Sequence, residues 1–409
     1  MADRPRFASA LSVLPASRQA EEQAVQALMD GLEGARPDLL AVFVSHHHGE
    51  ALERLGPRLA SATGARLVVG CTGESIIGGD REVEQEPALS LWGAVLPGTT
   101  LRPFVVSATL AEDGQASFSS MPEIEDPQRA SILLLADPFS FPMDPYLKLL
   151  NERFPGVPAV GGMASGGMGP GQNLLITDTG LLAAGALGVV LEGGIEVRSV
   201  VSQGCRPVGK PWVVTACEEH LIQKLGGRPA VEVMMETLQE LPPRDQKLFQ
   251  RQPFIGLATE PAKSRFERGD FLVRGIIGIQ AEQKAVAVAD LLRRGQTVQF
   301  LVRDAESASE DLNQLMQIQG GGALDQARAT HSAGALLFSC NGRGSRMFSE
   351  PNHDVSCVRK GLERDVPVAG FFAMGEIGPI GGRNFLHGFT ASIALFRPRT
   401  ESGQLPPDS

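Results

Sequence analysis

Three turns of this chain carry side chains able to do chemistry. Gly70-Cys71-Thr72-Gly73-Glu74 and Gly370-Phe371-Phe372-Ala373-Met374-Gly375-Glu376 both end in Gly-Glu, and Cys340-Asn341-Gly342-Arg343-Gly344 offers a thiol, an amide and a guanidinium. Glycine admits φ > 0 and lets a ligand approach bare backbone N–H groups. A rim glutamate accepts hydrogen bonds from an amine, and the arginine fork clamps a carboxylate. Arg343, with Glu74 or Glu376 and the amides of Gly73, Gly342 and Gly375, would therefore suit a zwitterion such as an amino acid. The competing reading makes each turn a tight βα-type connection, its Glu solvated or capping a helix, with Arg343 fastened to Glu376 or Asp354. A fourth polar turn, Ser202 to Gly209 with Cys205 and Arg206, either faces the same cavity or is an interdomain loop.

Other chemistries are less well supplied. Cys71, Cys205 and Cys340 lie at strand ends or turns, with His46, His331, His353 and His387 as available bases. A thiol needs a base or a helix N-terminus to become a thiolate. No Cys–His pair has a protease context and G-x-S-x-G is absent, so a hydrolase or transferase acting through Cys340 or Cys71 is the alternative to buried structural thiols. In His46-His47-His48, adjacent side chains of an extended chain point to opposite faces, which disfavours a metal site. The glycine run Gly161 to Gly171 lacks both G-x-G-x-x-G and a Walker lysine. Neither metal nor cofactor is expected.

The elements that hold these turns repeat one grammar. Leu39 to Val44 reads as a strand, Glu50 to Ala60 as a helix, Ala65 to Val69 as a second strand ended by the Gly70 turn, and Ala88 to Leu96 as a returning strand. Ser131 to Ala136, Pro145 to Phe154, Val157 to Val160 and Gly185 to Leu191 repeat it, as do Ala335 to Ser339, Asp354 to Glu363, Val366 to Ala369 and His387 to Phe396. The glycine that ends each second strand follows its first strand at similar spacing, on the order of 30 residues, which argues for internal duplication. The copies read as pieces of two related halves, and the middle turn, all Gly, Met and Ser, as uncharged wall. Between the copies, Pro229 to Leu241 reads as a helix stopped by Pro242-Pro243. Phe271 to Gln280, Ala285 to Val288 and Thr297 to Arg303 read as an antiparallel meander, followed by a helix over Ser307 to Gln317.

Composition bounds the rest. At 409 residues, two domains are expected. A hydrophobic share of 43% with 21% charged residues suits a globular chain. The net charge of −10, with no basic stripe, disfavours nucleic acid. Leu181 to Leu191, the longest apolar run, is too short to span a bilayer, and the first residues lack a signal-peptide core. Five scattered cysteines without a CxxC fit a reducing, cytoplasmic setting.

The chain resembles the FIST family (F-box and intracellular signal transduction). Val69 to Glu74, Ser202 to Pro207, Phe338 to Gly344, Ala369 to Glu376 and the Val273-Arg274-Gly275 strand carry the resemblance, in order, from about Leu39 to Phe396. It implies a mixed α/β fold, with an N-terminal-like domain over 1–225 and a C-terminal-like domain over 226–398; the Pro-, Ser- and Gly-rich residues 399–409 read as a disordered tail. The resemblance also implies a sensory module for small ligands, amino acids among them; the repeated turns would line a cleft between the two halves that holds the ligand. Kinase H-R-D and D-F-G patterns are absent, so the resemblance suggests a stand-alone sensor signalling to a protein in trans. A protein-interaction scaffold is the further alternative. The ligand set inferred from turn chemistry is Gly70, Cys71, Thr72, Gly73, Glu74, Cys205, Arg206, Cys340, Asn341, Gly342, Arg343, Gly375 and Glu376.

Overall fold

The computed structural model describes residues 4–260, 263, 266, 268–320 and 333–399; the tail beyond Arg399 and His331 lie outside them. The chain forms two compact units. One runs to Val201 and resumes over Asn313–Leu386 and from Ala391; the other comprises Ser202–Leu312 and His387–Thr390.

The first unit is built from the repeated strand–helix–strand–glycine turn–strand grammar in mixed sheets, and it holds three copies. The first copy contains β1 (Arg6–Ser12), α1 (Ser17–Gly31), β2 (Leu39–Ser45), α2 (Leu55–Thr63), β3 (Val68–Gly73), β4 (Ser75–Gly78), β5 (Arg81–Glu84) and β6 (Leu89–Val95). The second contains β7 (Thr99–Val106), the small hairpin β8 (Ala108–Leu110) and β9 (Ala116–Phe118), then β10 (Ala130–Ala136), α3 (Met143–Arg153), β11 (Ala159–Met163), β12 (Leu175–Thr177), β13 (Leu181–Leu182) and β14 (Ala186–Gly193). The third opens with β15 (Ile195–Gln203) and is then interrupted in sequence by the second unit.

In the second unit lie β16 (Cys205–Pro207), β17 (Trp212–Glu218), β18 (Leu221–Leu225), β19 (Arg228–Pro229), α4 (Ala230–Glu240), α5 (Pro243–Arg251), β20 (Pro253–Ala258), β21 (Phe271–Gln280), β22 (Ala285–Val288) and β23 (Thr297–Arg303). Helix α6 (Ala305–Gly320) follows. The third copy then finishes with β24 (Gly334–Cys340), α7 (His353–Leu362), β25 (Val368–Ala373), β26 (Glu376–Ile380), β27 (Arg383–His387) and β28 (Thr390–Pro398).

The three sheets share one strand plan: β1-β6-β2-β3-β12-β13, β7-β14-β10-β11-β26-β27 and β15-β28-β24-β25-β4-β5. In each, the two central strands run parallel across a helical crossover, and the returning strand pairs antiparallel on the outer side. The last two strands of every sheet come from another copy. The first copy gives its hairpin to the third, the second to the first, and the third to the second, so the exchange closes on itself. No copy completes its sheet alone.

Glycine makes the repeated junction possible. A Cβ on Gly70, Gly161 or Gly370 would stand 2.0, 1.8 and 1.8 Å from the carbonyl oxygens of Val42, Leu134 and Leu337 on the parallel neighbour. On the other side each glycine faces an isoleucine of the donated strand, Ile176, Ile377 and Ile77 respectively. The runs LLAVFVS and ASILLLA are buried on both faces, as strands between two layers must be. Leu39, Phe43, Leu133, Val160, Phe338, Phe371 and Phe396 join a core shared by the three copies, while Leu40 and Val42 turn outward against Leu28 and Leu59 of the helices.

Two readings of the intervening segment change. Pro242-Pro243 ends α4 and at once begins α5, with Pro243 in its first turn, where the missing N–H costs nothing. The meander stops after two strands: β21 pairs β22, but the other edge of β22 is taken by β18, and β23 pairs β20, β17 and β16 instead. The β20–β23 pairing closes β20, β23, β17, β18, β22 and β21 into a ring around Val214, Ile222, Leu257, Val286 and Phe300.

Candidate functional site

In the first unit, the C-terminal ends of the central strands meet at Ser165. Its Oγ accepts from the Glu74 N–H at 2.8 Å and donates to the Phe372 carbonyl; its N–H donates to the Thr72 carbonyl at 3.2 Å. One serine of the second copy thus ties the turns of the first and third. Its carbonyl lies 2.9 Å from His46 Nε2, which must therefore carry the proton. The next residue, Gly166 at φ +94°, leaves room for that imidazole; a Cβ there would lie 2.4 Å from His46 Cδ2. Met163 N–H to the Gly375 carbonyl (2.8 Å), Met374 N–H to the Met163 carbonyl (3.1 Å) and Asn341 N–H to the Ala373 carbonyl (3.0 Å) complete the junction.

On this frame Glu74 pairs with Arg346, a partner 272 residues away, with the two side chains 31% and 50% exposed. Arg346 also donates through Nη1 to the Asn341 carbonyl at 2.8 Å. The Asn341 side-chain Oδ1 is buried and accepts no hydrogen bond from the described residues. Cys340 is half-buried at the end of β24, and its charge would be felt by both Arg343 and Arg346. The rim therefore offers a carboxylate, a guanidinium, an amide oxygen, a thiol and an imidazole.

Of the residues expected from sequence, Gly73, Glu74, Cys340, Asn341, Gly342 and Gly375 belong to this junction, with Gly70 and Thr72 in the strand beneath. Thr72 is occupied: its Oγ1 accepts from the Leu174 N–H at 3.0 Å. Cys71 is fully buried, and burial pushes its thiol well up. Arg343 is fully buried as well. Its Nε and Nη2 grip Asp354 at 2.6 and 2.8 Å, and its guanidinium lies 5.2 Å over the Phe348 ring. The fastening role weighed against ligand binding is the one its contacts support. Burial alone would raise the Asp354 carboxyl, but the charge and hydrogen bonds of Arg343 outweigh it and hold the carboxyl below the usual range.

Glu376 does not match Glu74. With Gly70 and Gly370 as equivalent positions, Glu74 corresponds to Met374, whereas Glu376 lies inside β26, fully buried beside Gly162. Cys205 and Arg206 belong to the second unit. Cys205 packs with Phe254 and Leu301, and Arg206 is held by Asp245 at 2.5 and 3.1 Å and by Asp304 at 2.9 Å. The histidine run divides: His46 faces Ser165, His47 lies 3.2 Å from Ser45 Oγ, and buried His48 lies 3.0 Å from Ser17 Oγ. Sequence reasoning missed Arg346 and Ser165. Arg346 shares the turn of Arg343 and could have been weighed beside it; nothing local marks Ser165 as the hub. Cavities of 510 Å³, lined by Phe118, Met121 and Arg153, and of 310 Å³, lined by Asp38, Arg66 and Leu101, are formed by other residues.

The sequence that builds this architecture matches a known family. Residues 38–228 match the FIST N domain and residues 230–379 the FIST C domain, so the chain belongs to the FIST family. The join between the two matches falls within the second compact unit. The chain is 38% identical over 395 residues to the uncharacterized protein Rv0628c of Mycobacterium tuberculosis, covering 96% of this chain and 99% of the relative. It is 37% identical over 391 residues to the uncharacterized protein Mb0898c of Mycobacterium bovis, covering 96% and 98%. FIST domains are associated with signal transduction and small-ligand sensing. Among the described residues, no helix is long and apolar enough to cross a membrane.

Proposed function

We propose that this protein is a sensor of a small zwitterionic metabolite, an amino acid among the candidates, bound at the Ser165 junction. Glu74 would take the amine, Arg346 the carboxylate, and Asn341 Oδ1 a further donor of the ligand. The observation that carries this reading is the half-exposed Glu74–Arg346 pair, which joins residues of the first and third copies. Such a pair contributes about 0–1 kcal/mol, so a zwitterion can replace it with two matching contacts at little cost. The zwitterion first inferred for Arg343 is thus reassigned to the guanidinium three residues on, because Arg343 is committed to Asp354. The ligand lies between sequence-distant segments of one compact unit. A thermal-shift screen of amino acids and related metabolites tests the assignment. A hit should stabilise the wild type and lose its effect in Arg346→Ala; a hit unaffected by that change refutes the assignment.

A second reading rests on Cys340, the half-buried thiol within electrostatic reach of two guanidinium groups. Nearby cations favour a thiolate. Nucleophilic chemistry there would show as one thiol alkylated far faster than the others at pH 6.

A further inference from the structure

The hairpin that the first copy gives to the third is fastened by two glutamates of β5. Glu82 donates its N–H to Asn352 Oδ1 and accepts the Val355 N–H through Oε1, both at 2.8 Å. Glu84 accepts from the Ser345 N–H at 2.9 Å and the Ser345 hydroxyl at 2.6 Å. Helix α7 has no side-chain cap of its own, because Asn352 sits at φ +59°. Its first turn is therefore capped by a carboxylate from a segment 273 residues away.

That capping carboxylate is 9% exposed, and its Oε2 accepts no hydrogen bond from the described residues. Around it stand Asp354 of α7, itself bound to His353 and close to Cys357, Arg343 of the turn with Cys340 beside it, and Glu84 on the same strand. One guanidinium thus serves two buried carboxylates. Asp354 holds Nε and Nη2, while Nη1 donates to none of the described residues. Burial first, and then the Asp354 charge, push the Glu82 carboxyl up to about 8, against the pull of the Val355 N–H and Arg343.

We propose that Glu82 is a proton-controlled latch: neutral, it holds the β4–β5 hairpin of the first copy on the third, and ionised, it loosens that hold. The latch borders both members of the rim pair, since β4 begins one residue after Glu74 and Ser345 precedes Arg346. It acts whether or not the rim binds a ligand.

A carboxyl raised on folding contributes stability that is complete below its unfolded value and lost as pH rises through its folded value. Melting temperature is therefore to be followed from pH 5 to 9 for the wild type and Glu82→Gln, which keeps the Val355 acceptor but cannot ionise. The wild type should lose melting temperature relative to the variant from pH 5 up to about pH 8 and run level with it above that; parallel curves throughout overturn the latch. A second measurement needs no variant: denaturant unfolding of the wild type in unbuffered solution at pH 7. A neutral Glu82 gives up its proton on unfolding, against the fraction of a proton that His48 takes up once freed from the burial that lowers it, so net proton release is expected, and no release or net uptake overturns the proposal.

Discussion

Arg343→Ala tests the division between the buried and the exposed arginine. Arg343 and Asp354 are both fully buried, and the guanidinium supplies two of the hydrogen bonds that Asp354 receives. Truncation leaves an ionised carboxylate in the interior, a loss of about 3–5 kcal/mol. Ser339 Oγ at 2.6 Å and His353 Nδ1 at 2.8 Å remain on Asp354, which argues for the lower end of that range. Against a total stability of about 5–15 kcal/mol, the change should shift the urea midpoint plainly. Arg346→Ala removes only a half-exposed pair and should cost about 1 kcal/mol or less. The pH dependence gives a second readout. The Asp354 carboxyl is lowered on folding, so its contribution is present above its unfolded value and lost as pH falls. Wild type should therefore lose stability on acidification toward pH 3 more steeply than Arg343→Ala. Equal urea midpoints for the two alanine variants, or a greater loss in Arg346→Ala, would refute the reasoning.

Other consequences are equally direct. Gly370→Ala and Gly161→Ala each drive a Cβ into a backbone carbonyl at 1.8 Å and should abolish soluble folded protein, read by circular dichroism, whereas Gly275→Ala meets nothing within 4 Å and should be tolerated. Iodoacetamide followed by peptide mass spectrometry should label half-buried Cys340 well before buried Cys71 and Cys357, whose thiols burial pushes up. Ser165→Ala strips a partner from the Glu74 N–H and the Phe372 carbonyl; a loss of about 1–3 kcal/mol for each group left unsatisfied should appear in urea unfolding.

Much of the fold was legible. Runs such as Leu39–Ser45 and Ala130–Ala136 are buried at every position, and apolar but for one serine each, because they lie between two layers, and their spacing revealed the repeat. The exchange of hairpins was not legible: Ile77 pairs with Gly370 and Ile377 with Gly161, contacts that no local pattern encodes. The first strand and helix, Arg6–Ser12 and Ser17–Gly31, also passed unread, the helix burying only the small stripe Ala20, Ala24 and Leu28 besides Glu21. At the site, the shared Gly-Glu ending misled. Glu74 follows Gly70 by four positions and Glu376 follows Gly370 by six, so the shared glycine places one at the rim and the other in a buried strand. The sequence likewise does not say which arginine of one turn goes under, since burial depends on Asp354 arriving from α7.

The central claim, a zwitterion held between Glu74 and Arg346, is tested most directly by calorimetric titration of a screening hit and its methyl ester. Wild type and Arg346→Ala form a cycle with the two ligands. If the ligand carboxylate meets Arg346, esterification and the mutation should each weaken binding, and together cost little more than either alone. Losses that simply add, or an ester that binds as well as the acid, would contradict the account.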